Sequence, residues 1–153
     1  MKDKVKVLFL CHGIICRSTM AESVMTYLIT KRNLSPHFQI ASAATSREEI
    51  GNPPHHGTAA KLREEGIPLI PHRAVQMTKA DYETYDYLIG MDDWNIRNMQ
   101  RIAGGDPEHK MYKLLQFADS NRDIADPWYT GNFDETYADI REGCEAFLKK
   151  IQN

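Results

Sequence analysis

Val5-Lys-Val-Leu-Phe-Leu-Cys11-His-Gly-Ile-Ile-Cys16-Arg17-Ser18 runs from an apolar segment straight into a small loop that carries a thiol and a guanidinium. The segment Val5–Leu10 has the nearly unbroken hydrophobicity of a strand buried on both faces of a parallel sheet. Such a strand ends at the carboxyl edge of the sheet, where open α/β folds bind ligands, so Cys11 falls at the mouth of a site. The backbone N–H groups of His12, Gly13, Ile14, Ile15 and Cys16 can turn inward as an anion-binding nest. A helix starting near Arg17 adds its own unpaired donors and partial positive charge. The predicted occupant is a phosphate-like dianion.

The same residues supply chemistry. A cysteine thiol ionises near 8.5, and at a helix N-terminus beside a cation the value falls to roughly 3.5–7.5, which yields a nucleophile at neutral pH. Arg17 presents a planar fork that grips two phosphoryl oxygens at once and can follow them as the group becomes trigonal in transfer, a geometry lysine cannot copy. Ser18 Oγ can donate to the Cys11 sulfur, favouring its ionised form and easing its departure. Cysteine is also among the commonest core residues, and a cysteine–arginine pair at this spacing arises by chance. What favours catalysis is the context: a strand before, Gly13 within the loop and a periodic apolar segment after, as a strand–loop–helix phosphate cradle requires.

At 153 residues the chain fits one domain with a proper core, and residues 1–153 contain no linker, repeat or low-complexity tract. Net charge is −2 with both signs interspersed, so composition offers no basic face for nucleic acid or for anionic lipid. No apolar stretch reaches membrane-spanning length, and Met-Lys-Asp-Lys followed by a short strand is unlike a signal peptide. A cytoplasmic protein is expected, a monomer or weak homodimer with a small anionic substrate. The three cysteines, Cys11, Cys16 and Cys144, make no standard metal-ligand pair with a histidine, which points to reduced thiols, one of them reactive.

Along the chain, a helix is predicted over about Ser18–Lys31 and a second strand near Phe38–Ala43. Pro53-Pro54 can start a further helix, with Ala59, Ala60 and Leu62 facing inward and Gly66 stopping it; His55 and His56 read as surface residues. Thr78-Lys-Ala-Asp81 has the spacing of a capped helix start. A third strand follows over Tyr85–Met91, then a helix over about Trp94–Ile102 ending at Gly104-Gly105, a fourth strand over Lys110–Gln116 and a final helix over Phe133–Ile151. Cys144 falls on the core stripe of that last helix with Phe133, Tyr137, Ile140, Phe147 and Leu148. Alternating strands and helices call for an α/β fold: one four-stranded parallel sheet in the order 2-1-3-4, with helices on both faces and Cys11 at the topological switch point.

Transfer from an oxygen leaving group needs a proton donor. The irregular stretch Asp126-Pro-Trp-Tyr129 offers one, with Trp128 and Tyr129 as apolar walls for a ring-bearing substrate. With Val7-Leu-Phe-Leu-Cys11 through Ser18 and this distant Asp126-Pro-Trp-Tyr129, the sequence resembles the low-molecular-weight protein tyrosine phosphatases over essentially its whole length. Ala41-Ser-Ala-Ala-Thr45, His72-Arg-Ala and Met91-Asp92 are similar to that family as well. The resemblance implies Cys11 as nucleophile, Arg17 as phosphate clamp, Ser18 as thiolate partner and Asp126 as general acid and then base. It further implies Ser42 and His72 as a hydrogen-bonding brace for the loop, phosphotyrosine protein or a small aryl phosphate as substrate, and no metal or other cofactor. Because Asp126 must be protonated while Cys11 is ionised, a bell-shaped rate profile with a mildly acidic optimum is expected.

Cys16 stands where the family has a second loop cysteine, able to trap an oxidised Cys11 as a disulfide; the alternative is a small residue filling the loop interior. Several positions depart from the family. Ile14 replaces an asparagine that takes a left-handed conformation and ties the loop to the serine at 42, Thr19 replaces a proline, and Ala44 replaces a glycine. Glu48, in the polar run Ser46-Arg-Glu-Glu49, stands near an aromatic wall of the family's substrate cleft. A protein-arginine phosphatase on the same fold is the second reading, although a threonine is expected there in place of Ile15. An arsenate reductase would need relay cysteines that are missing between Cys16 and Cys144. A weakly active phosphate-binding regulatory protein is the non-enzymatic alternative, motivated by Ile14 and Thr19.

Overall fold

A computed structural model describes residues 4–12, 17–46, 56–70 and 75–152. The central strand β1 (Val5–Cys11) pairs in parallel with β2 (Phe38–Ala44) on one side and β3 (Tyr87–Gly90) on the other, and β4 (Met111–Lys113) adds outside β3. The order is therefore β2-β1-β3-β4, as predicted. Helix α1 (Arg17–Lys31) follows β1, α2 (His56–Glu64) and α3 (Lys79–Thr84) fall between β2 and β3, and α4 (Asp93–Ala103) follows β3. The one-turn helix α5 (Pro127–Thr130) and the long α6 (Phe133–Gln152) complete the chain.

Why β1 reads as an unbroken apolar run is now visible, because both of its faces are covered. Val7, Phe9 and Cys11 belong to the core made with α1 and α6, alongside Met20, Val24, Leu28, Ile140, Cys144 and Phe147. Leu8 and Leu10 point the other way, into a smaller core with Met77, Tyr82, Leu88 and Met99. Strand periodicity thus places Cys11 on the α1 side of the sheet. The last pair in the β1–β2 register is Cys11 with Ala44, so the thiol stands where the ladder ends.

Several predicted elements differ in detail. The fourth strand is three residues, not seven, and the chain then winds into a 3₁₀ turn over Leu114–Ala118. An apolar run of that length does not tell strand from turn: Leu114, Leu115 and Phe117 are buried against α6, with Phe117 edge-on to Phe147. Gly143 permits this docking, since a Cβ there would overlap the Leu114 side chain. On α2, Leu62 is buried as expected, but Ala60 is exposed and Lys61 lies inside, its ammonium 2.6 Å from Asp134 and 2.9 Å from Glu65. The stretch around Asp126 is less irregular than predicted, because α5 begins at Pro127, a residue whose fixed φ suits a first helical position. The Thr78 backbone donates to the Asp81 carboxylate at 2.8 Å, the capped start that the sequence predicts. Helix α4 ends at Gly104 in a left-handed conformation, φ +83°.

Candidate active site

Every described functional side chain comes to the carboxyl edge of the sheet. Cys11 is 1% exposed, and its Sγ lies 3.0 Å from Ser18 Oγ in the first turn of α1. The backbone around it is fixed from β2: Thr45 N–H donates to the carbonyls of Cys11 at 2.9 Å and His12 at 3.0 Å. Residues 13–16, which complete the loop between β1 and α1, lie outside the described residues, and so do the readings placed on Gly13, Ile14, Ile15 and Cys16.

Arg17 opens α1 and is 3% exposed. Its Nη1 donates to Asp92 Oδ2 and to the carbonyl of Ile124, each at 2.8 Å. Its Nη2 lies 3.6 Å from Asp126 Oδ2, an ion pair across more than a hundred residues of sequence. Burial pulls the guanidinium pKa down, but the negative charge of Cys11, the bond to Asp92 and the charges of Asp92 and Asp126 outweigh it and leave it raised. The cation is thus permanent. Both Nη1 hydrogens are spent on the protein, which orients the Nε and Nη2 edge of the fork away from Asp92 and Ile124.

Asp92 works at both oxygens. Oδ1 accepts from Asn95 N–H at 2.7 Å as the cap of α4, and Oδ2 holds Arg17. A residue just past the end of β3 thereby couples helix initiation to the orientation of the guanidinium. Ile124 is held in turn, its N–H donating to Met91 O at 2.9 Å and its side chain buried. Asp126 follows two residues later, so its carboxylate is delivered by a segment already anchored to the β3–α4 junction.

Other predicted residues are placed as follows. His12 stacks on the Trp94 indole with centroids 4.4 Å apart, and its buried Nδ1 has no hydrogen-bond partner among the described residues. Ser42 donates to Glu22 Oε1 at 2.6 Å, both residues buried, which leaves only the lone pairs of its oxygen to reach the loop. His72 and Glu48 lie outside the described residues. Trp128 and Tyr129 fall on α5, next to Asp126 in the chain. Thr19 and Ala44 are buried.

Some residues of the site were not predicted for the roles they take. Asp92 was noticed at a strand end but not as the arginine's partner. The Ile124 carbonyl, a backbone group, leaves no mark in the sequence. Trp94, 48% exposed, stands beside His12 without any motif to announce it.

A buried thiol hydrogen-bonded to a hydroxyl, a fixed guanidinium and a carboxylate beside that guanidinium, all at one sheet edge, define a phosphate-handling α/β protein. A profile described as low molecular weight phosphotyrosine protein phosphatase matches residues 6–153. YfkJ of Bacillus subtilis, described as a low molecular weight protein-tyrosine-phosphatase, is 40% identical over 97% of this chain and 96% of its own length. Its crystal structure covers 99% of this chain and 96% of that one with a TM-score of 0.94. The low molecular weight phosphotyrosine protein phosphatase of Homo sapiens is likewise 40% identical, over 94% of each chain. An arginine phosphatase from Drosophila shares the fold at a TM-score of 0.89 and 28% identity, covering 97% of this chain and 99% of that one. The chain belongs to the low molecular weight phosphotyrosine protein phosphatase family.

Proposed function

We propose that residues 1–153 form one protein tyrosine phosphatase domain that hydrolyses phosphotyrosine in proteins, or small aryl phosphates, through a cysteinyl-phosphate. The thiolate of Cys11 attacks phosphorus as the phosphorus–oxygen bond to the phenol breaks, and Asp126 gives its proton to the leaving oxygen. Arg17 holds two of the three transferred oxygens through its Nε and Nη2 edge, matching the trigonal transition state. A water then attacks the thiophosphate, Asp126 takes back a proton from it, and the Cys11 sulfur leaves with the Ser18 hydroxyl donating to it. Phosphate and free enzyme result. Trp128 and Tyr129 are proposed as walls for the substrate ring, Glu48 as an acidic rim, and Ser42 and His72 as the brace of the loop.

The observation that carries this reading is the Arg17 guanidinium, tied to Asp92 and Ile124 on one edge while Asp126 stands 3.6 Å from Nη2. A cation suited to clamping phosphate and a carboxylate suited to giving a proton are therefore neighbours, which supports the reading. Supporting a cytoplasmic location, no helix among the described residues is long and apolar enough to cross a membrane. A monomer or weak homodimer with no nucleic-acid partner completes the proposal.

The test is a panel of phosphotyrosine, phosphoserine and phosphoarginine peptides assayed with one preparation, with acid quench to trap phosphorylated Cys11. Turnover of phosphotyrosine with a trapped thiophosphate is expected. Preference for phosphoarginine would move this chain to the activity for which the Drosophila arginine phosphatase is named. Tight phosphate or vanadate binding without turnover would leave only a regulatory module.

A further inference from the structure

Beyond the arginine, a second buried cation stands at the same sheet edge. Lys113 closes β4 and is 6% exposed. Its ammonium lies 2.9 Å from Asp123 Oδ1 and 3.1 Å from Asp93 Oδ1, and it donates to the carbonyl of Asn121. Burial alone would lower its pKa, yet the bonds to Asp123 and Asp93 leave it raised, so it stays charged.

The partners of the two cations interlock along the chain. Asp92 serves Arg17 and Asp93 serves Lys113; Asn121 and Asp123 serve Lys113 and Ile124 serves Arg17. Between Ser120 and Asp126 the chain has no regular secondary structure, so its course is set by such contacts and by the Ile124–Met91 backbone bond. Lys113 clamps the first half of this segment to the start of α4, and Arg17 grips the second half. Asp126 is its last residue.

We propose that Lys113 is a positioning residue for the proton donor: by tying Asn121 and Asp123 to Asp93 it sets where the Asp126 carboxylate stands relative to Arg17 and the leaving oxygen. The inference rests on Asp126 being the general acid. A positioned acid matters most for a poor leaving group, because a phenolate that departs readily needs little protonation in the transition state. Loss of the lysine should therefore change discrimination among substrates more than it changes overall folding or phosphate binding.

Substitution by methionine keeps the aliphatic stem and removes the charge. Asp93 and Asp123 are 66% and 49% exposed, so water can solvate both once the ammonium is gone and the variant is expected to fold. The experiment measures kcat/KM for a series of aryl phosphates from p-nitrophenyl to unsubstituted phenyl in wild type, Lys113→Met, Lys113→Arg, Asp123→Asn and Asp126→Asn, with inhibition by inorganic phosphate and thermal melting alongside. In Lys113→Met the phenyl to p-nitrophenyl ratio should fall about tenfold, a fraction of the roughly 10²–10⁴ that a complete general acid contributes. Asp123→Asn should move it the same way by less, Lys113→Arg should recover part of it, and the inhibition constant for phosphate should stay within about twofold. An equal loss on every substrate, or an unchanged ratio while Asp126→Asn steepens the series, overturns the role of Lys113. A flat series in Asp126→Asn itself overturns the general-acid reading instead.

Discussion

Cys11 and Cys144 are equally buried, 1% and 0% exposed, and both belong to the core between α1, α6 and the sheet. Cys144 lies in the apolar core with the Ala21 carbonyl 4.0 Å from its sulfur, and burial pushes its thiol well above the ordinary range. Cys11 instead ends a strand, has a hydroxyl 3.0 Å away, and is coupled electrostatically to a guanidinium seated one residue from that hydroxyl. Depth therefore does not separate a nucleophile from a packing residue. The polar groups brought to it do, and in this fold they come to the strand's carboxyl end and not to the middle of a helix.

Replacing Cys11 by serine should reduce aryl-phosphate hydrolysis to the uncatalysed background while the far-ultraviolet dichroism stays unchanged; residual turnover would place the nucleophile elsewhere. Arg17→Lys keeps a charge but loses the fork, and the expected loss in kcat/KM is roughly 10³–10⁵, the range for an arginine that stabilises a transferring phosphoryl group. Asp126→Asn should lower turnover by roughly 10²–10⁴ and leave phosphate inhibition intact, read by steady-state kinetics. At the other thiol, Cys144→Ser should leave kcat/KM of the folded enzyme untouched and cost about 1–3 kcal/mol in denaturant unfolding, since a hydroxyl there stays beyond bonding reach of Ala21 O. Iodoacetamide should label Cys11 in the native protein, with inorganic phosphate protecting it, and should reach Cys144 only after unfolding.

The smallest effect separates the two thiols by pH. The folded pKa of Cys144 lies above its unfolded value, so its contribution to stability is complete below the ordinary thiol range near 8.5 and is lost as pH rises beyond it. The limiting slope is about 1.4 kcal/mol per pH unit for one proton. Unfolding free energies of wild type and Cys144→Ala between neutral and alkaline pH should converge by this amount; parallel curves would deny that the buried thiol is held neutral.

How far the sequence could be read follows from the range of the forces involved. Strand β1, the start of α1 and the capped start at Thr78 are set by neighbours in the chain, and local pattern finds them. Strand order followed from the alternation of elements and the handedness of crossovers. What escaped were groups whose role exists only across long separations. The burial of Lys61 draws on Asp134, which lies on a different helix, as well as on the nearby Glu65, and the Leu114–Ala118 turn depends on Gly143 on α6. Within the site, Cys11, Arg17 and Asp126 were found by motif. The Ile124 carbonyl and the Trp94 indole have no such signature, because a carbonyl is common to every residue and a lone surface tryptophan carries no period.

The bond from Arg17 to the Ile124 carbonyl gives the enzyme a timetable. A polypeptide that stops short of that residue has all four strands of the sheet but lacks one of the two acceptors that hold the guanidinium.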